Sequence, residues 1–375
     1  MNLLESISER YRKPCLSAFL LWGLGAWWML VAGLPVNKPT HLRSGFKLET
    51  VSKSEGAFLF LNPDTSITHQ MNLLYSSEGE PLLYYAAINT PVCIDGICKP
   101  VLVEMYWDLL GDYVGYGEYP NQPLTKYDHD PFLSEDHEKL HGLLLDRNSI
   151  LDRKSLDDLY DLRGVSQDKI AYNGVEIDGI SGATKKEITA SIVSGALYSC
   201  YRLWYLAHGD ASRKIRENLP AIYSDTLARQ FLRSGQSTYR YYAVRQMEGA
   251  DFADFAPVMN VFEEGNPLVR KHILKKLPDS LLQQSDIYGP LYEMFPDLDN
   301  GSKTLLLKKL PLAPAAAPPL SDHLIEMSRN QLLIYLKQLA KSGGQLPPEV
   351  RDNLEEAAQN PDFIYAYLIQ DFLIP

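Results

Sequence analysis

The chain has 375 residues, of which 45% are hydrophobic and 22% charged, with a formal net charge of −11 at pH 7. A length of this order predicts two domains rather than one. The acidic balance, with no basic stripe interleaved with aromatics, argues against nucleic acid as a partner.

Arg10, Arg12 and Lys13 precede an uncharged apolar run from Pro14 to Val36. Some twenty helical residues at about 1.5 Å each cross a hydrocarbon core of roughly 30 Å. The positive flank would stay in the cytoplasm, so residues 1–13 are expected inside, 14–36 as a transmembrane anchor, and the rest outside. A cleaved signal peptide is the competing reading, since Val31-Ala32-Gly33 offers small residues for a peptidase.

Leu82 to Ile88 and Val101 to Trp107 read as strands, with Asp95-Gly96 as a two-residue turn signal between them. That turn puts Cys93 opposite Cys98 in a non-hydrogen-bonded pair, close enough for a disulfide. Outside the cytoplasm such a bridge would persist. A redox-active pair and free or metal-binding thiols remain the alternatives.

Pro123 to His141 carries His129, His137 and His141 and includes a literal H-E-x-x-H at His137, Glu138 and His141. Two histidines four apart on a helix can bind zinc, with the Glu as base. Lys139 inside the motif, and Leu144 and Arg147 where a third ligand would fall, count against a zinc peptidase. Ser134, Glu135 and Asp136 instead predict the first turn of a solvated helix capped by Ser134. Tyr106, Trp107, Lys126, Tyr127 and His129 are types that stack on or hydrogen-bond to a cofactor ring; a plain surface loop is the alternative.

Val175-Glu-Ile-Asp-Gly-Ile-Ser-Gly-Ala-Thr184 reads as a short strand, a turn of small residues and a helix start. Side chains this small admit a close ligand, and the free N–H groups of a helix start favour an anion such as phosphate. The Lys-Ser/Thr pair of a triphosphate-binding loop is missing.

The run resembles the flavinylation motif of the FMN-binding domain family, which includes the C subunit of the Na+-translocating NADH:quinone oxidoreductase and the G subunit of the Rnf complex. Asp178, Gly179, Ser181, Gly182, Ala183 and Thr184 fit it residue by residue. The resemblance implies that a flavin transferase joins FMN to Thr184 through a phosphoester. It also implies that Asp178 is needed for that enzyme's recognition, and that Gly179, Ser181, Gly182 and Ala183 admit the phosphate. Family members continue with Thr or Ser, whereas Lys185, Lys186 and Glu187 follow here.

After the motif, Ile188, Ile192, Val193, Ala196, Leu197, Cys200 and Trp204 recur at spacings of three and four. They predict one long amphipathic helix, stopped at Gly209, that holds Thr184 at its start. Cys200 falls on the buried face, as a small core residue rather than a reactive thiol.

Beyond Gly209 five segments look alike: Tyr242 to Met247, Val269 to Leu277, Lys303 to Leu310, Leu332 to Leu339 and Ile364 to Phe372. A period of roughly thirty residues with one such helix per unit suggests stacked helix pairs. The pattern is similar to HEAT repeats; an irregular bundle is the alternative. Ala315 to Pro319 reads as a stiff Pro-Ala loop between units. Lys275, Lys276, Lys308, Lys309 and Lys337 recur at equivalent places, as a ridge for an acidic partner or lipid headgroups, or as a solvated helix face.

Together these readings give an α+β FMN-binding domain over residues 37–209 and an all-α, HEAT-like solenoid over 210–375. The implied function is electron transfer by a covalent flavoprotein of the bacterial cell envelope, anchored in the inner membrane, with an unknown redox partner or envelope scaffold docked on the solenoid. The rival, from another class, is a membrane-tethered interaction protein without redox chemistry.

Overall fold

The computed structural model describes residues 41–62, 65–92, 99–126, 129–155, 171–172, 175–176, 191–341 and 346–374. The transmembrane or signal segment 14–36, Cys93 and Cys98, Tyr127, and the motif residues Asp178 to Thr184 lie outside the described residues. Among those described, no helix is long and apolar enough to cross a membrane. The chain divides into two compact units, residues 1–223 and 224–375.

In the first unit six antiparallel strands form one sheet: β1 (His41–Leu42), β2 (Val51–Asn62), β3 (Ile67–Ser76), β4 (Pro81–Thr90), β5 (Val101–Trp107) and β6 (Tyr113–Glu118). The order is β1-β6-β5-β4-β3-β2, a meander from β2 to β6 with the short β1 added beside β6. Both expected strands are present, β4 running slightly longer and β5 with the expected limits. Their ladder ends at Thr90 and Val101. Pro91 and Pro100, which follow and precede, have no N–H to extend it.

Alternation sorts the side chains. Phe60, Met71, Leu73, Tyr84, Ala86, Ile88, Val103, Met105 and Trp107 are buried on the face that meets the helices. On the other face Leu74, Leu83, Tyr85, Tyr106 and Val114 form a second cluster, covered by Leu42, Phe46, Leu48 and Val51.

Three helices pack on the first face: α1 (Ser134–Leu145), α2 (Leu197–His208) and α3 (Asp210–Ile222). Gly209 ends α2 as expected, its N–H bonding Tyr205 O at 2.8 Å, and a Cβ there would sit 2.5 Å from that oxygen. The chain then enters α3 at once. Asp210 accepts from Leu61 N–H and Lys214 donates to Leu59 O, so one face of α3 satisfies the open edge of β2. Hence the sheet unit runs on past Gly209 to Tyr223.

Two local expectations are corrected. The helix after the motif is not continuous: residues 192–196 leave helical geometry, Gly195 has φ +76°, and α2 starts only at Leu197. β-Branched Ile192 and Val193 followed by Ser-Gly favour such a break. Cys200 is buried as expected, and burial pushes its thiol up to about 12. At α1 the cap position is Leu133, not Ser134, and Asp136 Oδ2 accepts the Leu133 N–H at 2.9 Å. That helix is not a solvated one, because Asp136, His137, Leu140, Leu143 and Leu144 are buried.

The second unit is all helical: α4 (Asp225–Leu232), α5 (Ser237–Gln246), α6 (Phe255–Glu264), α7 (Pro267–Lys276), α8 (Ser285–Glu293), α9 (Asn300–Lys309), α10 (Ala317–Ser321), α11 (Arg329–Lys341), α12 (Pro348–Gln359) and α13 (Ala366–Leu373). The five look-alike segments fall on α5, α7, α9, α11 and α13. Each of these helices touches the next in that series, while α6, α8, α10 and α12 alternate with them. Caps recur at their starts: Asn266 accepts from Leu268 and Val269 N–H, and Asp299 from Gly301 and Ser302 N–H. The expected Pro-Ala loop is instead a 3-10 turn (Pro314–Ala316) running into α10, with Ala316 and Ala317 buried in the core. Pro suits the first turn of a helix, where its missing N–H costs nothing.

The expected lysine ridge is only partly free. Lys276 Nζ donates to Arg245 O and Met247 O, and Lys309 Nζ pairs with Asp279 at 2.9 Å. These two tie each helix to the end of the preceding one in the series.

Candidate functional site

The two histidines of the H-E-x-x-H run meet strand β6. In β6, Tyr106 opposes Gly115 and Trp107 opposes Tyr113, leaving Val114 as an extra residue. This bulge brings Tyr113 and Tyr116, three apart, onto the same face of the sheet. His137 and His141, four apart, share one face of α1. Tyr116 OH and His137 Nδ1 lie 2.6 Å apart, and Tyr113 OH and His141 Nδ1 3.1 Å apart. His137 Nε2 lies 3.5 Å from Glu118 Oε1. The tautomer that fits has Tyr116 donating to Nδ1, with the ring N–H turned toward Glu118.

His41, on β1, closes the group by stacking on His141 and His137. Burial, then His41 and Arg43, lower His141 to about 4. Burial and His137 lower His41, against an opposing pull from Glu138. Glu138 is exposed, whereas His137 beside it in sequence is buried. A zinc peptidase needs its glutamate beside two open imidazoles. Here each Nδ1 meets a phenol of β6 and His137 Nε2 faces Glu118, so both imidazoles have partners within the fold. Among the described residues no group of three His, Cys, Asp or Glu is arranged to hold a metal.

Tyr106 and Trp107 are both fully buried, and as strand neighbours they face opposite sides. Tyr106 OH donates to Glu104 Oε2, and Tyr85 and Tyr119 donate to Oε1 of the same buried carboxyl group. Burial, reinforced by Glu104, pushes the Tyr85 and Tyr106 phenols far up. Trp107 Nε1 donates to Ala207 O at 2.8 Å. The polar atoms of both residues are thus used within the fold.

Lys126 and His129, in contrast, come together. With Val92, Lys99, Thr125 and the chain from Gly195 to Ser199 they line one open cleft at the start of α2. His129 has φ +63°, a conformation that a histidine adopts rarely, and its N–H bonds Lys126 O. Gly195, also at positive φ, lets the Lys126 stem approach to 3.4 Å of where a Cβ would stand. Lys126 Nζ is 2.7 Å from Asp136 Oδ2. Burial pushes the Asp136 carboxyl up, but Lys126 and the Leu133 N–H outweigh it and hold it below the usual range.

No protein-family model, curated protein or solved structure matches this chain.

Lysines, a histidine and the first N–H groups of a helix make the cleft a donor set for an anion. Asp136 offsets part of the Lys126 charge, and among the described residues Lys99 and His129 are in no ion pair. That set suits phosphate or another small anion. Sequence reasoning missed Lys99, Thr125 and Gly195, because only the break before Leu197 brings them to the helix start. It also missed Tyr113, Tyr116 and Glu118. Their signal was present in YVGYGE, where aromatics three apart match histidines four apart only through a bulge.

Proposed function

We propose that this chain is a covalent flavoprotein of the bacterial cell envelope, anchored by residues 14–36, that transfers electrons outside the cytoplasm. The observation that carries the reading is the run Asp178 to Thr184, which follows the two-residue strand Val175–Glu176 and fits the flavinylation motif. Thr184 Oγ is the attachment atom, and a flavin transferase that recognises Asp178 makes the phosphoester. Gly179, Ser181, Gly182 and Ala183 admit the phosphate. Bound FMN supplies one- and two-electron chemistry. The cleft of Lys99, Lys126 and His129 supports the same reading, as a field that favours phosphate, with Asp136 restraining Lys126.

Thr184→Ala tests it directly. The wild-type chain, made in an exporting host with a flavin transferase, should gain the mass of one FMN less one water and turn yellow. The variant should show neither. A wild type without added mass would sink the covalent reading and leave the rival, an interaction protein acting through its helices.

For the helical unit the reading is a HEAT-like solenoid that docks a redox partner or an envelope scaffold. The alternation of helices and the contacts along the series α5, α7, α9, α11 and α13 support it.

The Cys93–Cys98 bridge belongs to the same exported setting. The β4–β5 register from Tyr84/Trp107 to Thr90/Val101, continued without a bulge, is the one the Asp95-Gly96 turn requires for that pair. Two thiols should become titratable in the unfolded chain only after reduction. Equal thiol counts with and without reductant would remove the bridge.

A further inference from the structure

Charge in the second unit is sorted by layer. Helices α5, α7, α9 and α11, which touch in series, contain no Asp or Glu, and every lysine beyond Lys214 lies on α7, α9 or α11. The alternating helices α6, α8 and α12 carry exposed Glu263, Glu264, Asp286, Glu293, Glu349, Asp352, Glu355 and Glu356. A chain with net charge −11 therefore keeps four successive helices of this layer free of acids, and only the last of the series, α13, carries one, Asp371. Lysines near helix ends suit the helix dipole, and that accounts for the last turns of α7 and α9. It does not account for Lys337, which lies inside α11, nor for acids being absent from four helices.

Within this layer one row is aligned. Arg245, Lys275, Lys308 and Lys337 each stand two residues before the apolar residues Met247, Leu277, Leu310 and Leu339, and all four are exposed. Lys276 and Lys309, one residue further on, are used between helices. Among the described residues Lys275, Lys308 and Lys337 are in no ion pair. The row presents one cation per helix, and packed helices lie about 8–10 Å apart.

We propose that this row is the docking track for an acidic protein segment laid across α5, α7, α9 and α11. A single file of charges at this spacing matches a linear ligand. Carboxylates seven residues apart on a helix repeat about every 10.5 Å, and those three apart on an extended chain about every 10 Å. A lipid surface would instead meet a plane of charges, whereas most other cations of these helices are used within the fold. Arg240 pairs with Glu264, Arg270 and Lys303 donate to backbone carbonyls, Arg329 donates to Tyr367 and Lys271 lies against Gly301. Among the described residues only Lys341 stands exposed beside the row without such a contact. The track is a property of the helical unit and stands whether or not Thr184 carries flavin.

The test uses the full chain and fluorescent poly-L-glutamate as probe, with phosphatidylglycerol vesicles as the second arm. The wild type should bind poly-L-glutamate, and binding should weaken as added salt shortens the screening length. Lys275→Glu, Lys308→Glu and Lys337→Glu together should weaken it at least about tenfold. A control with the same charge change on the sheet unit, Lys47→Glu, Lys53→Glu and Arg153→Glu, should stay within about twofold of wild type. Circular dichroism must show wild-type helix content in the ridge variant; if it does not, Lys275→Gln, Lys308→Gln and Lys337→Gln replace it with the same expectation of lost binding. The proposal is overturned by no binding to poly-L-glutamate, by equal losses in ridge and control variants, or by tighter ridge-dependent binding to the vesicles than to the polymer.

Discussion

Trp107→Ala should cost the sheet unit about 3–5 kcal/mol of stability, the range for truncating a buried indole. Trp107 is fully buried at the end of β5, packs edge-on against Phe60, and donates through Nε1 to Ala207 O near the end of α2. Alanine removes the packing between sheet and helix and leaves that carbonyl without its donor. Trp107→Phe separates the two effects: it keeps most of the ring and loses the hydrogen bond, at about 1–3 kcal/mol. A domain is stable by only about 5–15 kcal/mol, so the alanine variant loses much of its margin. Hydrogen exchange of β4 and β5 amides in urea reads the sheet unit separately from the helical one. An alanine variant within about 1 kcal/mol of wild type would show that Trp107 is not the link between sheet and α2.

Acid should destabilise the same unit well above the ordinary carboxylate range. Burial lowers both His141 and His208 to about 4. His208 Nε2 donates to Leu144 O, while its buried Nδ1 has no hydrogen-bond partner among the described residues. Between an unfolded value near 6.5 and about 4, the unfolded chain binds protons that the folded chain refuses, so stability falls as pH falls. Each such proton is worth about 1.4 kcal/mol per pH unit. Asp108 acts the other way: burial and neighbouring Asp112 raise it to about 6, so below that pH the folded state gains a proton first. Solvent reaching His141 trims its share further. The net expectation is a loss of about 2 kcal/mol between pH 7 and pH 4.5. Urea midpoints across this range measure it, and His208→Gln should flatten the slope. A midpoint constant over that range would mean that the two imidazoles titrate normally in the fold.

Where local chemistry decides structure, the sequence was readable. Asp-Gly with flanking alternation marked β4 and β5 and their register. Apolar recurrence marked all five helices of the series, and Gly209 marked the end of α2. What escaped depends on distant contacts. Sequence neighbours alone count against zinc at the imidazoles four apart, but the tyrosines that β6 brings to them cannot be seen in a helix read by itself. The apolar spacing from Ile188 to Trp204 ran through Ser194-Gly195 without registering that one glycine at positive φ divides the segment. Tyr106 and Trp107 looked available to a ring because aromatic type reveals nothing about which face of a sheet is closed. Lys126 and His129 are neighbours in sequence, and there their joint position was foreseeable; Lys99 and the start of α2 were not.

The extra residue in β6 acts as a vernier between two lattices of different pitch. A helix returns a side chain to the same side every three or four residues, a strand every two, so two matched pairs of contacts across such a boundary fall out of step. Val114 resets the strand by one position, and both tyrosines mesh with both histidines. The histidine pair and the six-residue strand therefore share one length standard: a residue gained or lost between Tyr113 and Tyr116 would disengage one tooth even if every side chain were kept.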